Sequence, residues 1–190
     1  MLINRNDSIE EVVKNTLLEV TRGVVDRKHP FRFVSLATTS EGIINNRLVV
    51  LRKLTDDFRM IFFTDDRSNK VDDIENNPRV TLLFWHPGKK AQITFKGNAQ
   101  LHNQDHFTNQ FWSSISVEGR KAYGSVKSPG EPVNHMSDAH NWHPDISDDH
   151  FTVIEFVPKG MEVLQLHKLS HYRARFTLKH EIWSGGWIVP

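Results

Sequence analysis

Apolar residues Ile9, Val12, Val13, Leu17 and Val20 recur at helical spacing, which predicts one amphipathic helix over about 8–23. Ser8 and Glu11 have capping-box spacing, and Gly23 supplies a stop. Beyond this helix the apolar period falls to two. Segments 31–38, 43–52 and 59–64 read as strands, separated by the turn-forming runs Ser40-Glu41-Gly42 and Thr55-Asp56-Asp57. A short helix is predicted from Lys70 to about Asn77, because Pro78 disfavours helical geometry in the residue before it. Segments 80–85 and 91–101 form an expected strand pair across Pro87-Gly88-Lys89-Lys90. In the second, Ile93, Phe95, Gly97, Ala99 and Leu101 alternate with polar residues, as in a half-buried strand.

Phe107, Phe111 and Ile115 then fall on one side of a helical stretch, with Trp112 adjoining; they read as core or dimer contact rather than cofactor lining. Residues 124–149 carry Pro129, Pro132 and Pro144, many polar residues and little periodicity, which predicts a long loop. Segments 151–157, 161–166, 172–178 and 183–189 resume the strand pattern. Short strands with few helices predict a mostly β, α+β chain folded as a barrel or sandwich, without βαβ alternation. No repeat or linker divides it, so residues 1–190 are read as a single domain.

Composition narrows the function classes. A near balance of 24 basic and 23 acidic residues, net +1, gives no electrostatic reason to expect nucleic acid or a membrane surface. Cysteine is absent, which excludes disulfides, thiolate metal sites and thiol nucleophiles. The N-terminus lacks a signal peptide's basic-then-apolar pattern and no apolar run reaches a membrane span, so a soluble, cytoplasmic protein is expected. His135, His140, His143 and His150 crowd the long loop with Asp138, Asp145, Asp148 and Asp149, but at no tight ligand spacing. A solvated polar loop is the favoured reading, and no metal is assigned.

Two segments carry candidate chemistry. Asn46–Arg52 places Arg47 and Arg52 around an apolar stretch, five apart and therefore on opposite faces of an ideal strand. Phe62–Lys70 runs from a strand end through a polar turn into a helix start, where Ser68 is a credible N-cap. Free N–H groups there, hydroxyls of Thr64 and Ser68 and the cations of Arg67 and Lys70 suit a phosphate, whereas Asp65 and Asp66 would repel one unless they point away.

The ordered set Arg47–Arg52, Phe63-Thr64, Ser68-Asn69-Lys70, Glu75–Val80, Leu83-Phe84-Trp85 and Gln92 before Gly97 resembles the pyridoxamine 5′-phosphate oxidase family. The match spans roughly residues 30–101 and recurs weakly at His171, Arg173, Arg175 and Trp187. The resemblance implies an FMN-binding split barrel of antiparallel Greek-key type, and a homodimer with FMN at the subunit interface. It implies that Arg47 and Lys70 hold the flavin phosphate with Thr64, Ser68 and the preceding Phe63. Asn69 stands where the oxidase usually has Arg, and Arg67 is a candidate replacement. Leu48, Val49 and Val50 resemble the strand along the isoalloxazine ring. Gln92 resembles a polar flavin contact from the neighbouring subunit, Ser128 a second such contact, and Arg175 a donor at the pyrimidine edge. Leu164 replaces a Trp.

The substrate side departs further. The oxidase grips its substrate phosphate with Lys, Tyr, Arg and Ser, and the corresponding positions here are Arg52, Phe111, Ile115 and Gly119. Arg52, His171 and Arg173 remain as candidate contacts to a small-molecule substrate. No catalytic side chain is assigned, since a flavin ring itself accepts the hydride. The expected function is an FMN-dependent oxidoreductase with an altered substrate-phosphate site. A flavin- or haem-binding protein without turnover and a deazaflavin-dependent reductase are the alternatives.

Overall fold

The computed structural model describes residues 1–168 and 170–190. Helix α1 (Ile9–Val25) opens on a complete capping box, with Ser8 accepting from the Glu11 amide and Glu11 accepting from the Ser8 amide. It buries Val12, Thr16, Glu19 and Val20 against the sheet. Strands β1 (Phe33–Ser40), β2 (Ile43–Leu54) and β3 (Met60–Asp65) form an antiparallel meander, α2 (Asn69–Asn76) crosses over, and β4 (Arg79–His86) returns beside β1. That spatial order, 4-1-2-3, is a Greek key. Next come β5 (Ala91–Asn103), α3 (His106–Trp112) and α4 (Val117–Arg120), then β6 (Phe151–Gln165), β7 (Tyr172–Lys179) and β8 (Ile182–Ile188). Among the described residues, no helix is long and apolar enough to cross a membrane.

Strand β6 makes the split. One edge pairs with β5 along its whole length. The other edge pairs with β3 over Phe151–Phe156, closing a six-stranded barrel in the order β3-β2-β1-β4-β5-β6. From Gly160 onward that edge pairs with β7 instead, and β8 extends the sheet outward. The two strands expected over 151–157 and 161–166 are therefore one. Pro158-Lys159-Gly160 is a bulge rather than a turn, because the register with β5 shifts between Lys96 and Gly97 and absorbs the extra residue.

The barrel interior is filled by inward residues such as Leu36, Leu51, Phe62, Phe84, Phe95 and Phe156, all at most 1% exposed. A second apolar cluster lies on the other side of β3 and β6, where Phe107, Phe111, Trp112 and Ile115 pack on Ile61, Tyr123, Phe151 and Val153. The aromatic stripe at helical spacing is thus core. The long segment 124–149 has local order, with a 3-10 helix over Met136–His140 and a bridge between Ser125 and Trp142.

Candidate functional site

The site is built where β2 and β3 meet the start of α2. Lys70, in the first turn of α2, donates to Thr64 Oγ1 at 3.0 Å and Ser68 Oγ at 2.8 Å. The Ser68 hydroxyl donates to the Asp65 carbonyl at 2.7 Å and contacts Thr64 Oγ1 at 3.1 Å. Ser68 holds the N-cap position, yet its hydroxyl is so engaged that it makes no cap bond. Among the described residues the amides of Asn69 and Lys70 therefore have no side-chain partner, as an anion-binding helix start requires, while the Val71 amide donates to the Ser68 carbonyl at 2.8 Å. Burial and the nearby Arg47 cation hold the Lys70 ammonium below its ordinary pKa. Among the described residues no carboxylate lies within ion-pair distance of it.

Arg47 reaches the same region from β2. Its guanidinium donates to Thr38 Oγ1 at 2.5 Å and pairs with Asp73 on α2 at 3.2 Å. Asp73 also accepts from Thr38 at 2.5 Å and from Asn45 at 3.1 Å. Burial works against its ionisation, but the bonds from Thr38, Asn45 and Arg47 hold its carboxyl below the usual range. Thr38, Asn45 and Asp73 thus fix the arginine, a role with no local motif in the sequence.

Both acidic residues of the turn are engaged by side chains outside the candidate phosphate grip. Asp65 is clamped by Arg67, with Nε–Oδ1 at 2.9 Å and Nη2–Oδ2 at 2.7 Å, and Asp66 faces His150 Nδ1 at 2.9 Å. Arg67 also donates to the Ser125 carbonyl at 2.9 Å, so its fork is spent on this loop rather than joined to Lys70. Asn69 is exposed at the first position of α2. Of the three apolar residues expected along a ring, Val49 points into the core, while Leu48 is exposed and Val50 half-buried on the opposite face. The Arg52 guanidinium carbon lies over the Phe63 ring, 5.2 Å from the centroid.

Of the remaining candidates, Gln92, Arg173 and Arg175 form a separate group on the outer face of the sheet. Gln92, Leu164 and Arg173 are consecutive cross-strand neighbours on β5, β6 and β7. One step along, Thr94, Glu162 and Arg175 repeat the row, and Glu162 binds both arginines. Burial opposes it, but those two cations hold the Glu162 carboxyl below its ordinary value. His171 is exposed before β7 and accepts the His167 amide at 3.2 Å. Ser128 lies in the long segment, its amide bonded to Glu131 at 3.2 Å. No hydrogen bond or ion pair among the described residues joins this group to Arg47 and Lys70. Strands β1 and β4 lie between β2 and β5, which separates the groups by three strand spacings, about 14 Å.

A second polar cluster was invisible in the sequence. Buried Glu19 on α1 accepts from Arg22, from Lys89 at 2.5 Å and from His29 Nε2 at 3.2 Å, with His86 Nε2 at 4.0 Å. These three ligand-type side chains could surround a metal. However, Nδ1 of His29 accepts the Phe31 amide and Nδ1 of His86 accepts the Lys89 amide. Each neutral ring therefore carries its proton on Nε2, which suits a bond to Glu19 and not a lone pair for a cation.

Known proteins share this architecture. A family model described as pyridoxamine 5′-phosphate oxidase matches residues 21–144. The pyridoxine/pyridoxamine 5′-phosphate oxidase of Chromohalobacter salexigens is 37% identical over 68 residues, 35% of this chain and 31% of that one. The Thermosynechococcus vestitus enzyme of the same name is 29% identical over 96 residues, 50% of this chain and 45% of that one. The chain thus matches less than half the length of these curated relatives. A pyridoxamine 5′-phosphate oxidase-related, FMN-binding protein from Nostoc punctiforme superposes with a TM-score of 0.79 at 23% identity, covering 93% of this chain and 97% of that one. PhzG from Burkholderia lata, solved with tetrahydrophenazine-1-carboxylic acid, gives 0.73 at 20% identity, covering 98% and 95%. At these identities the structural likeness speaks for the fold, while the family match spans well over half of the sequence. The chain belongs to the pyridoxamine 5′-phosphate oxidase family.

Proposed function

We propose that this protein is an FMN-dependent oxidoreductase acting on a small molecule in the cytoplasm, as a homodimer that completes each flavin site across its interface. The observation that carries the reading is the Lys70 ammonium, drawn out of water among the hydroxyls of Thr64 and Ser68, beside the Arg47 cation. Two crowded cations and an uncapped helix start fit a phosphate dianion. FMN, when bound, would supply a two-electron acceptor. The chain's own part is then to bind and orient: Lys70 and Arg47 at the phosphate, with Leu48 and Val50 beside the ring. Gln92 on β5 and Arg175 on β7 stand three or more strands around the sheet from β2, too far to meet the same ligand in one chain. A second copy supplying them would explain why Phe33, Ile44, Leu48 and Trp85 are exposed on the outer barrel surface. The lack of cysteine is compatible with a reducing cytosol.

Titration with FMN and with riboflavin tests the reading. Tight FMN binding with flavin absorbance, much weaker riboflavin binding and a dimer in sedimentation are expected. A colourless protein that FMN cannot reconstitute would overturn it.

A further inference from the structure

A cavity of about 470 Å³ opens between β2, β3 and the α3–α4 segment, next to the strand that carries Arg47. Its two walls differ in character. On one side stand Arg27, Arg52 and Lys53; on the other, Phe111 and Ile115 are apolar. Arg52 and Lys53 are consecutive, and a regular strand would send them to opposite faces. The register of β2 with β3 shifts between Leu51 and Lys53, so two β2 residues oppose one on β3. This bulge re-aims the chain and lets both cations line the same cavity.

Those cations have no counter-charge. Among the described residues none of Arg27, Arg52 and Lys53 forms an ion pair, whereas nearby Arg59 is paired with Asp57 and Glu155. Arg27 and Arg52 crowd a third cation, Arg32, whose guanidinium is held below its ordinary pKa by burial and by those two charges. The cavity therefore favours an anion. The shape of the grip selects which kind. Arg52 carries a planar, five-donor fork, its guanidinium carbon stands over the Phe63 ring 5.2 Å from the centroid, and buried Tyr123 also lines the cavity. The facing wall is poor in donors: Ser114 spends its hydroxyl proton on the Phe111 carbonyl at 2.6 Å, Ile115 has none, and Ser116, whose oxygen accepts the Gly119 amide at 3.2 Å, keeps a single hydroxyl proton to give.

We infer that this cavity takes a flat, apolar carboxylate, such as an aromatic acid, with the carboxylate on Arg52 and Lys53 and the ring against Phe63, Phe111 and Ile115. The inference rests on the flavoenzyme reading in treating this ligand as the substrate; the binding itself stands on the cavity alone. A planar fork matches a carboxylate in two parallel bonds, and an apolar wall rewards a ring in place of phosphate oxygens.

Calorimetric titration with 1-naphthoate, 1-naphthyl phosphate and 1-naphthalenemethanol, with and without saturating FMN, holds the ring constant and varies the head group. Naphthoate should bind one per chain, at least about tenfold tighter than the alcohol, and no weaker than the phosphate. Arg52→Gln should remove that roughly tenfold preference and leave the alcohol unchanged, with the circular dichroism of the wild type. Ile115→Arg should turn the preference toward the phosphate. Tighter phosphate binding by the wild type, or naphthoate binding indifferent to Arg52→Gln, would overturn the inference. If FMN binds and none of the three ligands does, the carboxylate site alone falls. Arg52-dependent naphthoate binding without any FMN binding would instead remove the flavin reading and keep the site.

Discussion

Replacing Lys70 by Met tests the phosphate grip because it should separate binding from stability. The flavin-free protein holds an ammonium whose pKa is depressed by burial and by Arg47. A lysine with a folded pKa below its unfolded value costs stability at neutral pH, since the folded state binds the proton less readily than the unfolded chain. The hydroxyls that Lys70 touches remain satisfied without it, because Thr64 and Ser68 bond each other and Ser68 donates to the Asp65 carbonyl. Lys70→Met should therefore leave the flavin-free Tm unchanged or raise it. Its effect on FMN should be large: a charge-assisted hydrogen bond contributes about 1.5–3 kcal/mol, or roughly 10- to 150-fold in Kd. Riboflavin, which lacks the phosphate, should lose almost nothing. Fluorescence titration with both ligands and a thermal melt without ligand make the measurement. Equal losses for FMN and riboflavin, or a Tm drop with unchanged FMN affinity, would refute the reasoning.

Asp73→Asn should weaken FMN and cost about 1–3 kcal/mol in urea denaturation, because a neutral amide releases Arg47 and cannot accept all the bonds from Thr38, Asn45 and Arg47. Gly97→Ala should destabilise by about 1–3 kcal/mol or prevent folding, since its Cβ would sit 2.1 Å from the Val157 carbonyl oxygen; the melting temperature reads this. Burial, with Lys89 and His29 adding to it, holds the His86 imidazole below its ordinary 6.5. Its folded pKa is the lower one, so its contribution is full above the ordinary, unfolded value and is lost as pH falls from there through the folded value. Urea denaturation at about pH 7.5 and about pH 5.5 should show the loss, and His86→Phe should reduce it.

The helix over 8–23, the strand periods and the polar turn before Lys70 were legible in the sequence because each is a local pattern. A capping box needs two residues three apart, and a half-buried strand needs only alternation. Thr64, Ser68 and Lys70 lie within one turn, so their convergence followed from spacing. Three things did not. The Pro158–Gly160 bulge looked like a strand break, because only the register with β5 shows that Gly97 absorbs the extra residue. Arg67 looked free for a phosphate, because its commitment to Asp65 depends on side-chain direction. Asp73 and Glu19 carry no motif, and their partners arrive from distant strands and turns. The sequence by itself determined the element order, the family and the composition of the polar turn before Lys70, all of which depend on near neighbours along the chain. The tertiary structure decided which cation is paired and which is left without a counter-charge. Such pairings span strands, and the energy of a partly buried charge depends on what the fold brings within a few ångströms of it.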